Sequence, residues 1–246
     1  MAFLRNATGP ISGERRKELH LFESHAGLRF RKLELLNQAF CHRSYANEKG
    51  DGIENNERLE FLGDSVLGLV VAEYLYKQLS DRPEGDLARI KSFVVSEDSL
   101  DRIARSLRVD TFILVGKGEE YSGGRKKKAI LADAMEAIIG AYFLDSGFKY
   151  ARKFVLRCIV PEIETVLAGK HQRDYKTLLQ ELVQKRYKTY PRYLLDRKTG
   201  PDHDKTFWIV VEVEGKNYGP GKGKNKKEAE QAAAETAYTA LTNDRD

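Results

Sequence analysis

The first group of residues that could do chemistry is a set of acids in an otherwise apolar segment, residues 56–76. Glu57, Glu60 and Asp64 are three and four residues apart, which places them on one face of a helix. The remainder of the segment, including VLGLVVAEYL, is apolar enough to be buried. The spacing therefore predicts an acidic face on a helix of the core.

A second segment, residues 129–144, is apolar on nearly every side and has two charged residues, Asp133 and Glu136, again on one face. Burying a carboxylate costs several kcal/mol unless a cation or strong donors compensate for it. One interpretation is that Arg43 or Arg58 pairs with the acids and that the role is structural. The second helix has no basic residue, which favours the other interpretation, a bound metal ion.

The chemistry of a metal site built from carboxylates is specific. An all-oxygen acidic cluster suits Mg²⁺, with Mn²⁺ as a substitute, rather than zinc. Such a site hydrolyses phosphodiesters with an activated water as the nucleophile, and it requires no nucleophilic side chain. The two segments together predict a metal-dependent phosphodiesterase.

The elements that must position these acids divide the chain into two domains. Residues 1–13 form a polar, glycine-containing segment that we interpret as a flexible tail. Residues 14–168 show apolar residues at helical spacing, so we predict an all-α domain there. The polar residues 169–173 are predicted to be a linker, and residues 174–243 a second domain.

The second domain has a mixed pattern, which predicts an α+β fold with the order α-β-β-β-α. Asp174 is a candidate cap for the first helix, and Glu214–Lys216 are predicted to form a hairpin turn. The predicted elements are a helix at 174–185, strands at 193–197 and 206–213, a third strand that starts at 217–219, and a helix at 225–241.

Lysines gather at the start of the last predicted helix. Asn225 and Glu228 have the spacing of a capping box. Cations at a helix N-terminus oppose the helix dipole, so a phosphate ligand explains them better than fold stability does. The alternative is a solvated charged run. The lysines are Lys222, Lys224, Lys226 and Lys227.

A second basic run, Arg125, Lys126, Lys127 and Lys128, immediately precedes the second acidic helix. It has two interpretations: it draws a nucleic-acid backbone toward the acids, or it is a solvated loop.

The motifs that contain these residues resemble the ribonuclease III family. NERLEFLGDS (residues 56–65) resembles the signature of that family, and LADAMEAIIGA (131–141) resembles its second acidic helix. The similarity continues through HRSYANE (42–48), PEGDLARIKSFVVSEDSL (83–100) and FLDSG (143–147). The second domain resembles a double-stranded-RNA-binding domain, most clearly in GKGKNKKEAEQAAAETA (221–237).

The resemblance implies a magnesium-dependent endonuclease that cuts double-stranded RNA and leaves 5′-phosphate and 3′-hydroxyl ends with a short 3′ overhang. It assigns the metal to Glu60, Asp64, Asp133 and Glu136, with Glu136 most directly coupled to catalysis. Glu57 and Glu84 match acids near the cleft or the subunit contact and rank lower.

The resemblance also implies partners. Gln180 and His203 match residues that touch the minor grooves of a duplex, which such domains read over about 16 base pairs. A homodimer is implied, because two acidic clusters related by a two-fold axis match the symmetry of a duplex. Ribosomal RNA precursors and other structured transcripts, including messenger and transfer RNA precursors, are the expected substrates.

Composition limits the alternatives. The formal net charge of +5 permits a polyanionic partner without requiring one. Cys41 and Cys158 are far apart and suggest no zinc site, and no segment has the length and apolarity of a membrane span, so we expect a cytoplasmic protein without a membrane partner. Two rivals remain: an RNA-binding protein that does not cleave, and a metal phosphohydrolase that acts on small substrates.

Overall fold

The computed structural model describes residues 11–50, 52–168, 175–201 and 205–243. The chain divides into two compact units, Met1–Lys170 and His171–Asp246. The predicted tail lies almost wholly outside the described residues, and so do the predicted linker at 169–173 and the candidate cap Asp174.

The described part of the first unit contains ten α-helices and one 3₁₀ turn, Gly124–Lys126. The helices are α1 (Gly13–Ala26), α2 (Leu33–Ala39), α3 (Arg43–Lys49), α4 (Glu57–Gln78), α5 (Glu84–Val94), α6 (Glu97–Ser106), α7 (Val109–Phe112), α8 (Lys117–Tyr121), α9 (Lys128–Ser146) and α10 (Phe148–Leu167). The prediction of an all-α domain is confirmed. None of the helices among the described residues has the length and apolarity needed to cross a membrane.

Helix α9 lies in the middle of the core, as its apolar sequence predicts. Leu131, Met135, Ile138 and Ile139 are almost completely buried, and α9 packs against α2, α4, α6 and α10. Helix α4 is its main neighbour. The two helices that carry the acids are therefore adjacent, which fixes the acidic faces relative to each other.

The FLDSG motif has a structural role at the end of α9. Asp145 accepts hydrogen bonds from the backbone N–H groups of Arg31 (3.0 Å) and Lys32 (2.8 Å), just before α2 begins. Amides next to a helix start have no partner within the helix, so a carboxylate stabilises them there. This contact ties α9 to the N-terminal part of the domain.

The second unit has the predicted order α-β-β-β-α, and its fold class is confirmed. Its elements are α11 (Tyr175–Tyr187), β1 (Arg192–Thr199), β2 (Thr206–Val213), β3 (Lys216–Gly223) and α12 (Lys226–Asn243). The antiparallel sheet has the order β1-β2-β3, and alternate residues of β2, including Ile209, Val211 and Val213, are buried in a core formed with both helices.

The β2–β3 connection is tighter than predicted. Glu214 and Gly215 both have positive φ, as a two-residue hairpin turn requires, and Lys216 already belongs to β3. The strand continues to Gly223; the register shifts between Tyr218 and Gly221, and Gly221 to Gly223 pair with β2 again.

Candidate active site and RNA-binding surface

Helices α4 and α9 approach each other very closely at two glycines. A methyl group added to Gly63 would overlap the backbone carbonyl oxygen of Glu136, and one added to Gly140 would overlap the carbonyl oxygen of Leu59. Gly63 directly precedes Asp64. Only a residue without a side chain permits this crossing, and the crossing places the acidic faces of the two helices side by side.

The four predicted metal-binding carboxylates lie around this crossing. Glu60, Asp133 and Glu136 are half-buried, and Asp64 is exposed. The charges of Asp64, Glu60 and Asp133 all act on Glu136, so the structure brings the four acids into one electrostatic group.

The pKa values of three of these acids are raised by burial and by the charges of neighbouring acids. Burial raises the pKa of Glu136 to about 8, and the charges of Asp64, Glu60 and Asp133 add to the effect. The pKa values of Glu60 and Asp133 are also raised, in each case first by burial; the next contributions come from Asp133 for Glu60 and from Glu97 for Asp133. A nearby cation would stabilise the ionised form of these acids and lower their pKa values, so the group favours the binding of a cation.

The arginine alternative accounts for these acids only in small part, because the charge of Arg43 lowers the pKa values of Glu60 and Asp133 but is outweighed by burial and by the neighbouring acids. Within the described part of the chain, none of the four carboxylates forms a hydrogen bond or a close ion pair with another residue. Arg43 pairs with Glu57 instead, at 3.8 Å, and both side chains of that pair are more than half exposed. The candidate Arg58 is exposed.

The four acids match the donor set of a hard divalent cation, because every donor is a carboxylate oxygen. Among the described residues, no three histidine, cysteine, aspartate or glutamate side chains already stand in an arrangement that could hold a metal ion. The fit therefore rests on the type of the donors, on their common location at the helix crossing, and on the raised pKa of Glu136.

In the second unit, Asn225 caps the start of α12 as predicted, but the return bond of Glu228 goes to the residue before the cap. Asn225 Oδ1 accepts a hydrogen bond from the backbone N–H of Glu228 at 2.9 Å, and Glu228 Oε2 accepts one from the backbone N–H of Lys224 at 2.9 Å. The side chains of Lys224, Lys226 and Lys227 are exposed and form no ion pair within the described residues. They form a cationic group that the fold itself does not neutralise.

Lys222 is separated from this group. Its ammonium lies over the Trp208 ring, 5.4 Å from the centroid, and Arg197 lies over the same ring at 4.4 Å. These residues are paired across the three strands, and Trp208 alternates with the inward-facing residues of β2. Lys222 lies near the end of β3, just before α12 as the sequence predicts, and its contact with RNA stays a prediction.

The two remaining predicted RNA contacts differ in what the structure shows. Gln180 is exposed on α11, at the edge of the side that carries the buried residues Leu179 and Val183. His203 lies outside the described residues.

Comparison with known proteins assigns each of the two units to a family. Residues 32–163 match the ribonuclease-III-like family, and residues 175–241 match the double-stranded RNA binding motif. The chain is 58% identical to ribonuclease 3 of Treponema denticola over 94% of both chains, and 49% identical to ribonuclease 3 of Borreliella burgdorferi over 95% of both. The chain belongs to the ribonuclease III family.

A solved structure supports the same assignment for the first unit. The nuclease domain of ribonuclease III from Campylobacter jejuni is 44% identical, with a TM-score of 0.53, and the match covers 56% of this chain and 93% of that domain. The protein is thus a ribonuclease III family endoribonuclease, with a helical nuclease domain and a double-stranded-RNA-binding domain. The family is metal-dependent.

The resemblance to ribonuclease III also implies that Glu57 and Glu84 lie near the cleft or the subunit contact. Glu57 begins α4 and is exposed, with Arg43 and Asn55 as its partners. Glu84 begins α5 and is exposed. Their roles stay predictions.

The basic run before α9 is largely engaged within this ribonuclease III domain. Arg125 pairs with Glu120 and donates to the carbonyl oxygen of Ile113, both at 2.5 Å. Lys127 pairs with Glu119 at 2.6 Å, and Lys126 is exposed. These contacts favour a structural role for Arg125 and Lys127, and contact with RNA stays a prediction for all three residues.

Sequence reasoning missed the two glycines of the helix crossing and the exposed apolar side of α4. Phe61, Leu69 and Tyr76 are 77%, 59% and 75% exposed. The signal for the crossing was available: Gly63 and Gly140 lie in the middle of long apolar helices, where glycine costs about 1 kcal/mol and therefore indicates a packing requirement.

Proposed function

We propose that this ribonuclease III family protein hydrolyses the phosphodiester bonds of double-stranded RNA with Mg²⁺ held by Glu60, Asp64, Asp133 and Glu136. The observation that carries the proposal is the group of half-buried carboxylates, without hydrogen-bonding partners among the described residues, at the crossing of α4 and α9. When bound, the metal activates a water and stabilises the leaving oxygen. Mn²⁺ is expected to substitute.

The residues of the site have separate tasks in this proposal. Glu136 is the most strongly perturbed acid, so it gains most when a cation replaces its proton. Asp64 is exposed next to it and remains open to both the metal and the substrate. Glu60 and Asp133 hold the cation from the two helices. The products are expected to carry 5′-phosphate and 3′-hydroxyl ends with a short 3′ overhang.

The second domain supplies affinity for the duplex. Lys224, Lys226 and Lys227 are exposed at the N-terminus of α12, where phosphate meets both ammonium groups and free N–H groups. Gln180 on α11 is proposed to contact a minor groove, as is His203, within a footprint of about 16 base pairs. The proposed domain limits are 14–168 and 174–243, joined by the linker 169–173.

The exposed side of α4 supports a homodimer. Phe61, Leu69 and Tyr76 fall on one side of the helix, and large apolar side chains in such a row mark protein–protein contacts. A cavity of about 490 Å³ lies beside them, between α4 and α5, and Asp64 and Lys91 are among its lining residues. The comparison structure from Campylobacter jejuni is described as containing a region involved in dimer formation.

The dimer is tested by Phe61→Arg in sedimentation experiments. The substitution places a charge in the proposed contact, so we expect the variant to sediment as a monomer while keeping its helical content. Tyr121→Arg is the control, because Tyr121 is 93% exposed and does not belong to α4. A Phe61 variant that remains dimeric at micromolar concentration would exclude this face.

The cleavage is tested with a long, fully paired RNA, with Mg²⁺ or with chelator, followed by analysis of the product ends. We expect cleavage only with metal, 5′-phosphate ends, and no cleavage of single-stranded RNA. Glu136→Gln should bind the duplex and fail to cut it. Cleavage that persists in chelator, or in Glu136→Gln, would refute the proposed metal site.

We place this activity in the cytoplasm, in the processing of ribosomal RNA precursors and of other structured transcripts, including messenger and transfer RNA precursors. The length of the expected footprint supports such substrates, because only extended duplexes present about 16 continuous base pairs.

A further inference from the structure

The HRSYANE motif, residues 42–48, has a role in the structure that the acidic site does not explain. His42 is the N-cap of α3, and Ser44 and Glu48 are four residues apart, so they share one face of that helix. Both side chains contact the start of α8. Ser44 Oγ accepts a hydrogen bond from the backbone N–H of Gly116 at 2.9 Å, and Glu48 Oε2 accepts one from the backbone N–H of Lys117 at 2.6 Å.

Helix α8 depends on these contacts. It has five residues, too few for an isolated helix to be stable, and its first N–H groups have no partner within the helix. Its N-cap is Gly116, which offers no capping side chain. A methyl group on Gly116 would lie 2.6 Å from Glu48 Oε2 and 2.6 Å from the Ser44 carbonyl oxygen, so α3 lies directly against it.

The Ser44 hydroxyl takes part in two hydrogen bonds, one as a donor and one as an acceptor. It lies 2.8 Å from His42 Nδ1, and the backbone N–H of Ser44 also points at this nitrogen, so Nδ1 is the acceptor. Burial lowers the pKa of His42, which keeps Nδ1 free to accept. Ser44 Oγ therefore donates to His42 while it accepts from Gly116. Loss of this one hydroxyl breaks both links.

Helix α8 in turn fixes the beginning of the second acidic helix. Glu119 of α8 pairs with Lys127 at 2.6 Å, and Ser122 Oγ lies 3.1 Å from the same ammonium group. Lys127 is the N-cap residue of α9, the helix that carries Asp133 and Glu136.

The residues beside His42 hold the other acidic helix. The backbone N–H of Asn56, the N-cap of α4, donates to the carbonyl oxygen of Cys41 at 2.8 Å, and His42 N–H donates to the carbonyl oxygen of Leu114 at 3.0 Å. The chain around residues 41–48 thus contacts the start of α4 directly and is linked to the start of α9 through α8.

We propose that His42, Ser44 and Glu48 are positioning residues that hold α8, and through it the start of α9, so that the acidic face of α9 with Asp133 and Glu136 stays next to Glu60 and Asp64. This inference rests on the proposed metal site. None of the three residues is one of the proposed metal ligands; they act through the backbone of α8 and through the Glu119–Lys127 pair.

The test uses the full chain and measures metal binding directly. Mn²⁺ binding without RNA is followed by calorimetry, and cleavage is followed as a function of Mg²⁺ concentration. For Ser44→Ala we expect metal affinity to fall about tenfold, in the range known for residues that orient metal ligands, and half-maximal cleavage to need correspondingly more Mg²⁺. The KM for duplex RNA should not change.

Ser44→Thr is the rescue variant, because it keeps the hydroxyl and should restore metal affinity. Ser106→Ala is the matched control, since Ser106 Oγ also forms a hydrogen bond with the backbone, donating to the carbonyl oxygen of Ile103, but takes no part in these contacts. Circular dichroism checks the fold of each variant. If Ser44→Ala does not fold, Glu48→Gln replaces it, and the same weakening is expected from loss of the charged acceptor at Lys117.

The outcomes separate this inference from the metal site itself. If Glu136→Gln abolishes metal binding but folded Ser44→Ala binds Mn²⁺ as the unmodified protein does, the positioning role is wrong and the metal site stands. If Ser44→Thr fails to restore affinity, the hydroxyl is not the cause and the inference is also overturned. If Glu136→Gln binds and cleaves normally, the proposed metal site fails first.

Discussion

Glu136→Gln should make the metal-free protein more stable at alkaline pH while it removes cleavage. The reason is the pKa of Glu136, which is raised to about 8 first by burial and then by Asp64, Glu60 and Asp133. The unfolded chain releases this proton near pH 4.5, and the folded chain keeps it to about pH 8. Between these values the folded state binds more protons, so the free energy of unfolding falls as the pH rises.

The size of the effect follows from the two pKa values. A pKa that rises from 4.5 to about 8 corresponds to at most about 5 kcal/mol, fully expressed above pH 8. Solvent screens part of this cost, because Asp64 is exposed and Glu136 is only half-buried, and we expect about 2 to 3 kcal/mol. Glutamine has nearly the same shape and carries no charge, so the variant should lack this part of the pH dependence.

The assay is urea unfolding in chelator from pH 5 to pH 9, for the unmodified protein and for the variant. Far-UV circular dichroism follows mainly the helical first domain. The single tryptophan, Trp208, lies in the second domain, and its fluorescence gives an internal control that Glu136→Gln should not alter. Parallel curves for the two proteins between pH 5 and 8 would show that Glu136 carries no such cost, and the reasoning from burial would be refuted.

Two further predictions concern the helix crossing and the RNA-binding surface. Gly63→Ala should destabilise the first domain by about 3 kcal/mol and suppress cleavage, because the added methyl overlaps the backbone of α9. Gly85→Ala is the control, because nothing lies within 4 Å of the added methyl there. It should neither destabilise the domain nor suppress cleavage in the same unfolding and cleavage assays. Replacing Lys226 and Lys227 together by alanine should weaken duplex binding and reduce the slope of log affinity against log salt by roughly 2, measured by filter binding. Lys222→Ala removes one exposed cation and should reduce that slope by no more than about 1; an unchanged slope would show that Lys222 makes no phosphate contact.

The acidic site was predictable because it is a local anomaly. Charged side chains are rarely buried without a partner, so carboxylates in an apolar helix can be recognised from the neighbouring residues alone. The predicted segments 56–76 and 129–144 correspond to α4 and α9. The helix order and the α-β-β-β-α pattern were predictable for the same reason: apolar periodicity is a property of the segment itself.

Features that depend on a distant partner were not predictable. The extension of β3 through Pro220 and Gly221 depends on hydrogen bonds to β2. The contact between α4 and α9 at Gly63 depends on a backbone oxygen of a residue far along the chain, Glu136. Local preference disfavours strand in the first case and helix in the second, so tertiary packing decided both.

The two basic runs show why charge alone was ambiguous. In the first domain, Arg125 and Lys127 meet carboxylates of the preceding α8, and these pairs hold the start of α9. In the second domain, Lys226 and Lys227 form no ion pair among the described residues and oppose the dipole of α12. Because the acids of the first domain repel phosphate unless a cation intervenes, we expect the affinity for RNA to come mainly from cations without an ion-pair partner. Among the described residues, Lys226 and Lys227 meet that condition, and Arg125 and Lys127 do not.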